Sequence, residues 1–446
     1  MNTQVAESKN NNSWYAGLTP KHWNILKSSF IGWMFDGFEA VALIVVLFPM
    51  LKSVLTPAQM ATPSVYAGLV IGMTLLGWGI GGIVGGVLAD YFGRKRVMLW
   101  SVFLYALFSG LTAFSNSIAT LCVMRFLTGL AMGSEWSTGI ALLAETWPEK
   151  ARAKGAGFLQ SGFGFGTLLA ALVWYGLSTY NPMGADTWRL MFVLGALPAF
   201  FVLYIRRSIG ESEQWMQALA NKRWNATGNS SAPSSDSRPF TLKQLFQEPE
   251  ARRLTLLTFL LSLMTTTAWW AISSWLPTFT VAIAKAEGLA DAATWGSKIT
   301  IYYTIGGIVA YWASGFIIDW IGRRWFLFFT FLGALIATYI TYKMTTTMFG
   351  MMIIAPINGF FTLGCGFVWM AIYLAELFAP AVRSTALSVV NNGARMVAWI
   401  FPIMAGSMIE SFGGVAQAAL TMSSVYVIGL VIPWFLPETK GKGLPQ

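Results

Sequence analysis

Residues 86–96 read GVLADYFGRKR and residues 315–324 read GFIIDWIGRR, two copies of G-x-x-x-D-x-x-G-R-[KR] at an offset of 229 positions. A second pair follows: Glu145 lies seven positions before Arg152, and Glu376 seven before Arg383, at an offset of 231. Two motifs at nearly one offset mark an internal duplication. Each copy closes an even-numbered apolar stretch on the same side, so both halves have the same topology. That is the parallel-repeat pattern of transporters whose halves rock about a central site.

The stretches between the motifs set the solvent. Of the 446 residues 55 % are hydrophobic and 11 % charged, whereas an ordinary globular domain is about 25 % charged. Residues 53–89, 97–124, 155–185, 254–284, 344–375 and 411–437 contain no Asp, Glu, Lys or Arg. Each exceeds the roughly 20 residues that cross a hydrocarbon core. Twelve spans are expected, near 27–50, 66–89, 97–114, 120–144, 155–178, 188–206, 254–280, 298–318, 325–343, 349–374, 386–409 and 415–436. The fold class is therefore an all-α membrane protein of twelve transmembrane helices in two pseudo-symmetric six-helix bundles. The expected division is residues 1–206, a cytoplasmic linker at 207–252, and residues 253–446. The 44 glycines fit close packing of helices in lipid.

Orientation follows from the basic residues. A cytoplasmic N-terminus puts 22 of the 29 Lys and Arg on the cytoplasmic side, with Lys52, Arg189, Lys285, Lys298 and Lys343 opposite and Arg125 and Arg395 inside spans. Both termini are then cytoplasmic, and the net charge of +10 is a topology signal, not a nucleic-acid footprint. The first 25 residues lack a cleavable signal pattern. The linker segment NATGNSSAPSSDSRP (225–239) is too polar to order itself. Asn225 and Asn229 begin N-x-[ST] patterns, read as chance matches on the cytoplasmic side. Cys122 and Cys365 fall in spans of different halves, so neither a disulfide nor a metal site is expected.

The loop motifs, with PETKG at 437–441, resemble the major facilitator superfamily over nearly the whole chain. SWYAGLTPKHW (13–23), GWMFDGFE (32–39), RFLTGLAMGSEW (125–136), ETWPEKARAKGAGFLQSGFGFG (145–166) and IRRSIGESEQW (205–215) resemble its sialate and lactate proton symporters. Glu39 replaces the Asp common in the DGF[DE] element, and the single histidine, His22, lies outside the membrane. The resemblance implies proton-coupled uptake of an organic anion. It also implies that the acid on helix 1 and the Arg opening the helix 4 motif, here Asp36 and Arg125, form the proton-coupling pair.

Five ionisable side chains fall well inside spans: Asp36, Glu39, Arg125, Glu135 and Arg395. A charge at the bilayer centre costs about 2.5–3.5 kcal/mol on insertion scales, so such groups pair or face a wet cavity. Three acids against two bases leave one carboxylate in excess, and a buried excess carboxylate takes a proton. Asp36, Glu39, Arg125 and Glu135 are the proton-coupling candidates, with the sharing of the proton by Glu39 or Glu135 left open. Ion pairs that merely lock helices together are the plainer alternative. Arg395 is the candidate for a substrate carboxylate, which Arg can meet bidentately. Asn391, one turn earlier, Gln160, Asn358 and Trp270 complete the substrate candidates. Asp90, Arg94, Asp319 and Arg323 in the repeated motif are assigned to gating contacts, against the simpler reading of a basic loop that satisfies topology.

The expected partners are a small organic anion, a proton and membrane lipid, with no nucleic acid, no cofactor and no metal; a monomer in a bacterial inner or plasma membrane is expected. A transporter of a neutral sugar or a drug is the nearest alternative, and a transporter-like sensor a more distant one. There is no P-loop, no H-E-x-x-H and a single His, so an enzyme is not expected.

Overall fold

Apolar stretches of this length satisfy their backbone hydrogen bonds internally when they coil, so the chain becomes a succession of long helices. In the computed structural model, residues 13–61, 63–197, 200, 204, 210–222, 226–227, 239–290, 292–399 and 414–445 are described, apart from the side chains at 64, 270, 271, 274, 293, 294 and 297. The first half comprises α1 (Pro20–Val54), α2 (Pro63–Phe92), α3 (Arg94–Thr112), α4 (Ile118–Thr146), α5 (Glu149–Tyr180) and α6, described over Trp188–Leu194. The second half comprises α7 (Pro249–Ala271, continuing as Leu276–Ala286), α8 (Ala292–Ile321), α9 (Arg323–Met344), α10 (Met348–Leu377), α11, described over Arg383–Ala398, and α12 (Val415–Phe435). Among the described residues, eight helices are long and apolar enough to cross a membrane by length and composition. The other four are α3, which opens on Arg94, Lys95 and Arg96; α7, broken around Ile272; and α6 and α11, described in part. Large apolar side chains such as Phe48, Trp100, Phe114, Leu172, Trp320 and Phe349 are exposed, an arrangement that suits hydrocarbon and not water.

Glycine lets the halves meet. On α2, Gly77 and Gly81 face α4, where an added Cβ would fall 2.2 Å from the Phe126 carbonyl oxygen and 1.8 Å from that of Leu130. A second α2 face carries Gly79, Gly82 and Gly86, seated against Met396, Asn392 and Ser388 of α11. The repeat-related contact is α5 on α8, where a Cβ on Gly315 would fall 2.5 Å from the Lys154 Cα. The first glycine of each copied motif is thus a point where a helix of one bundle touches the first two turns of a helix in the other.

The linker, expected to be flexible, is ordered in part. Short helices form at Glu213–Ala220 and Thr241–Gln247, and Ala226 is buried with its carbonyl accepting from the Ala379 N–H at 2.8 Å. Asn225, Asn229 and residues 228–238 lie outside the described residues. Cys122 and Cys365 are free and buried. His22 caps α1, its Nδ1 accepting from the Thr19 N–H at 2.8 Å while Nε2 lies 3.0 Å from the Thr146 carbonyl oxygen.

A side chain at position 86 would collide with Ser388 Oγ, which sits 2.2 Å from where its Cβ would be. Gly86→Val is therefore expected to separate α2 from α11. In purified protein, a cysteine substituted for the fully buried Ser388 should react with a soluble maleimide faster in the Gly86→Val background than beside Gly86. Equal rates in two well-folded proteins would mean that this contact does not hold the halves together.

Candidate functional site

At the motif end of the bundles the described residues form a charged seal. Asp90 ends α2 and points across the interface at the start of α11: Oδ2 accepts from the Thr385 N–H at 2.8 Å and its hydroxyl at 2.6 Å, and Oδ1 from the Ser384 N–H at 3.3 Å. A carboxylate at a helix N-terminus meets unpaired N–H groups and the positive end of the dipole. Arg94 lies 3.1 Å from Asp90 and 2.9 Å from Glu145, and also donates to the Pro380 carbonyl at 2.6 Å. Glu145 in turn binds Arg383 of the other half at 3.0 Å. The second copy repeats the plan: Arg323 grips Glu376 with Nε and Nη2 at 2.9 and 2.6 Å, and Asp319 binds Lys154 across the interface at 2.5 Å. Asp90 and Arg94 thus sit in one cross-bundle network, and Asp319 and Arg323 in a second.

A third repeated element was not evident in the sequence. Glu211 accepts from the backbone N–H groups of Arg94 and Lys95, and Glu438 from those of Arg323 and Arg324, so each half caps the helix after its motif with an acid that follows its sixth span. The offset is 227 residues. Gly93 and Gly322, at φ of 97° and 87°, supply the left-handed turn that these caps fit around. Burial acts to raise the Glu438 carboxyl, but the N–H groups of Arg323, Lys440 and Arg324 outweigh it and hold the group below the usual carboxylate range.

Deeper in the bundles the intramembrane charges divide otherwise than expected. Arg125 does not pair with Asp36. Its Nη1 lies 2.7 Å from Glu39 Oε1, both side chains being buried. Thr112 and Thr128 accept from its Nη2 at 3.1 and 2.9 Å, Ser109 donates to Glu39 Oε2 at 2.8 Å, and the guanidinium stacks 4.6 Å from the Phe192 ring centre. Asp36 and Glu39 are three residues apart on α1, and the rotation of α1 against α4 turns the longer acid toward Arg125. The pair is neutral, held by charge between Nη1 and Oε1 and by hydroxyls at Nη2 and Oε2, while Arg125 Nε has no hydrogen-bond partner among the described residues.

Asp36 instead meets Glu135. The two carboxyls interact with each other, both are buried, and no donor from the described protein reaches any of their four oxygens. Glu135 reaches this position because Gly32 leaves a notch in α1, where a Cβ would lie 1.5 Å from Glu135 Oε1. Around them Trp33 packs on Trp78, Trp136 and Phe163, an aromatic group from α1, α2, α4 and α5. The sequence pointed to Trp270, which lies in α7 with its side chain outside the described residues.

Arg395, partly exposed, interacts electrostatically with Asp36 but has no carboxylate within ion-pair distance among the described residues. Its guanidinium lies 4.7 Å from the centre of the Trp78 ring, and Nη1 donates to Asn392 Oδ1 at 3.0 Å. Asn391 is buried nearby, but the amide in contact with Arg395 is Asn392. Both lie within one turn of Arg395, so spacing alone does not separate them. Gln160 accepts from the Trp136 indole N–H at 2.7 Å. Asn358 gives its amide to Thr341 at 2.9 Å and receives the Thr362 hydroxyl at 3.0 Å, a bonding pattern that fastens α10 to α9.

The family model described as "Sugar (and other) transporter" matches residues 37–446. A protein of Haemophilus influenzae named for metabolite transport is 32 % identical over 427 residues, spanning 95 % of this chain and 98 % of that one. The sialic acid transporter NanX of Escherichia coli is 31 % identical over 207 residues, 46 % of this chain and 48 % of its own. The proton:xylose symporter XylE, solved with 6-bromo-6-deoxy-D-glucose, superposes with a TM-score of 0.77 at 17 % identity, covering 95 % of this chain and 98 % of that one. The repeated motifs, the two bundles and these matches together establish that the chain belongs to the sugar (and other) transporter family of the major facilitator superfamily, an integral membrane transporter and not an enzyme.

Proposed function

We propose that this chain is a proton-coupled symporter of an organic anion, a monocarboxylate, sialic acid or aromatic acid, working by alternating access. The observation that carries the reading is Arg395: a partly exposed cation within the membrane, oriented by Trp78 and Asn392, with no ion-pair partner among the described residues. A solute carboxylate would neutralise it through the planar guanidinium fork. Asn391 is the nearest further candidate in sequence, and Gln160, Asn358 and Trp270 are more remote ones.

Proton coupling falls to the acids that have no cation of their own. With Glu39 and Arg125 closed on each other, Asp36 and Glu135 repel when both are charged, and a proton between them relieves the contact. Arg395, near Asp36, feels that proton: a charged Asp36 holds the guanidinium, and a protonated one releases it to the anion. The seal of Asp90, Arg94, Asp319 and Arg323 closes the motif end, so substrate enters from the opposite end in this conformation. The distribution of Lys and Arg supports a cytoplasmic motif end and cytoplasmic termini, with bundles at 1–206 and 253–446 joined by 207–252. The state is then outward-facing.

A neutral sugar is the competing cargo, favoured by the wording of the family model. A thermal-shift screen of the purified protein separates the two, since a ligand that binds only the folded state raises its melting temperature. Lactate, benzoate or N-acetylneuraminate should stabilise it, and a response confined to sugars or amines would exclude the anion reading.

Two substitutions divide the roles. Arg395→Lys keeps the charge and loses the fork, so anion binding should weaken by roughly 1–3 kcal/mol; unchanged affinity at every pH would remove Arg395 from the site. Asp36→Asn should abolish accumulation driven by a pH gradient and leave substrate counterflow intact in proteoliposomes. Accumulation that survives in both Asp36→Asn and Glu135→Gln would take the carboxyl pair out of the coupling.

A further inference from the structure

We propose that Asn392 is the positioning residue that aims Arg395 and links its occupancy to the proton site through α4. The inference rests on the reading of Arg395 as the anion's partner. Asn392 is almost wholly buried and occupies the notch over Gly82, where a Cβ would lie 2.1 Å from its Nδ2. Its two ends do different things. Oδ1 accepts from Arg395 Nη1 at 3.0 Å, within α11, while Nδ2 donates at 3.3 Å to the carbonyl of Gly133, across the bundle interface.

The position of that carbonyl gives the contact its meaning. Gly133 and Ser134 form a turn between the two segments of α4, Ile118–Met132 and Glu135–Thr146, so the residue that resumes the helix is Glu135. Gly133 is itself wedged against α2, a Cβ there falling 2.2 Å from the Gly82 N and 2.5 Å from the Trp78 carbonyl oxygen. Trp78 also supplies the ring beneath Arg395. One amide therefore spans from the cation to the backbone two residues before the acid. The amide offers a donor and an acceptor at once, whereas an ionised Asp lacks the donor and Leu lacks both.

Two consequences follow from the chemistry. With one N–H on Asn392 and its face on Trp78, the guanidinium is held in orientation before an anion arrives, which lowers the ordering cost of binding. When a carboxylate draws Arg395 toward itself, Asn392 is drawn with it, and its hold on the α4 turn beside Glu135 changes. The charged and titratable groups bearing on Asp36 and Glu135 are Arg395 of α11, Glu39 of α1 with its partner Arg125 of α4, and the Tyr105 phenol of α3. Asn392 adds no charge to this set, so its effect on pH dependence must pass through geometry.

The test uses full-length purified protein, with binding of lactate, benzoate and N-acetylneuraminate measured from acidic to mildly alkaline pH. Asn392→Leu should weaken the best of these probes about tenfold, the scale of one hydrogen bond to a charged group, and flatten the pH dependence of its affinity. Asn392→Asp matches Asn in shape and folds in the same notch. Its carboxylate should occupy Arg395, so affinity should be lost at alkaline pH and recover toward acid. Wild-type affinity and wild-type pH dependence in both variants would overturn the proposal, as would a fall in melting temperature with binding by the folded fraction unchanged. If Asn392→Leu does not fold, Asn392→Asp decides alone. Arg395→Lys run in parallel separates the two claims: weakened binding there with intact Asn392 variants refutes only the role of Asn392, and intact binding in Arg395→Lys refutes the anion site itself.

Discussion

A charge held in hydrocarbon needs an opposite charge, a set of dipoles or a proton, and the interior of this protein is organised by how five charges meet that requirement. Glu39 and Arg125 meet it with each other, in an ion pair at 2.7 Å with three hydroxyls around it. Their closure leaves Asp36 and Glu135 facing each other without a donor, and Arg395 without an acid in ion-pair range among the described residues. A neutral pair, an acid pair and a lone cation form a set whose charge can change by one proton and one anion. The small residues around them serve this arrangement: Gly32 admits the Glu135 carboxyl, and Gly82 admits Asn392.

The same constraint is solved differently at the motif end, where the acids and arginines of the repeated motifs pair with one another. Asp90 caps α11 across the interface, Glu145 is shared by Arg94 and Arg383, and Lys154 reaches Asp319. Each contact joins two rigid helices end to end, so the network has discrete made and broken states rather than a graded response. The seal and the buried acids lie on the same helices. Asp90 and Trp78 are on α2, and Glu145 and Glu135 are on the second segment of α4. One continuous helical segment therefore connects the position of Glu135 to that of Glu145.

Much of this was legible in the sequence where a signal was repeated. The two copies at 86 and 315, and the Glu–Arg spacing at 145 and 376, identified the duplication and the fold, and they pointed to residues that the structure places between the bundles. Glu211 and Glu438 escaped notice because GESE and PETK share only the acid, and a backbone cap needs nothing more. Within the membrane the pattern was weaker. Asp36 and Glu39 occupy neighbouring positions on one helix face, so which of them meets Arg125 depends on a rotation of α1 that no spacing encodes. The same ambiguity separates Asn391 from Asn392. The Asp36–Glu135 contact depends on a glycine, and one glycine among 44 carries no individual signal.

In the proposed mechanism a proton accompanies the organic anion because neutralising the buried acid pair lets Arg395 turn to the anion. The most direct test is proton movement in sealed proteoliposomes holding an internal pH indicator, with radiolabelled anion added outside at equal pH. The account predicts internal acidification that begins with anion uptake, exceeds that of protein-free vesicles, and disappears when Asp36 and Glu135 are replaced together by Asn and Gln. Protein-dependent anion uptake with no acidification beyond the protein-free vesicles would contradict it.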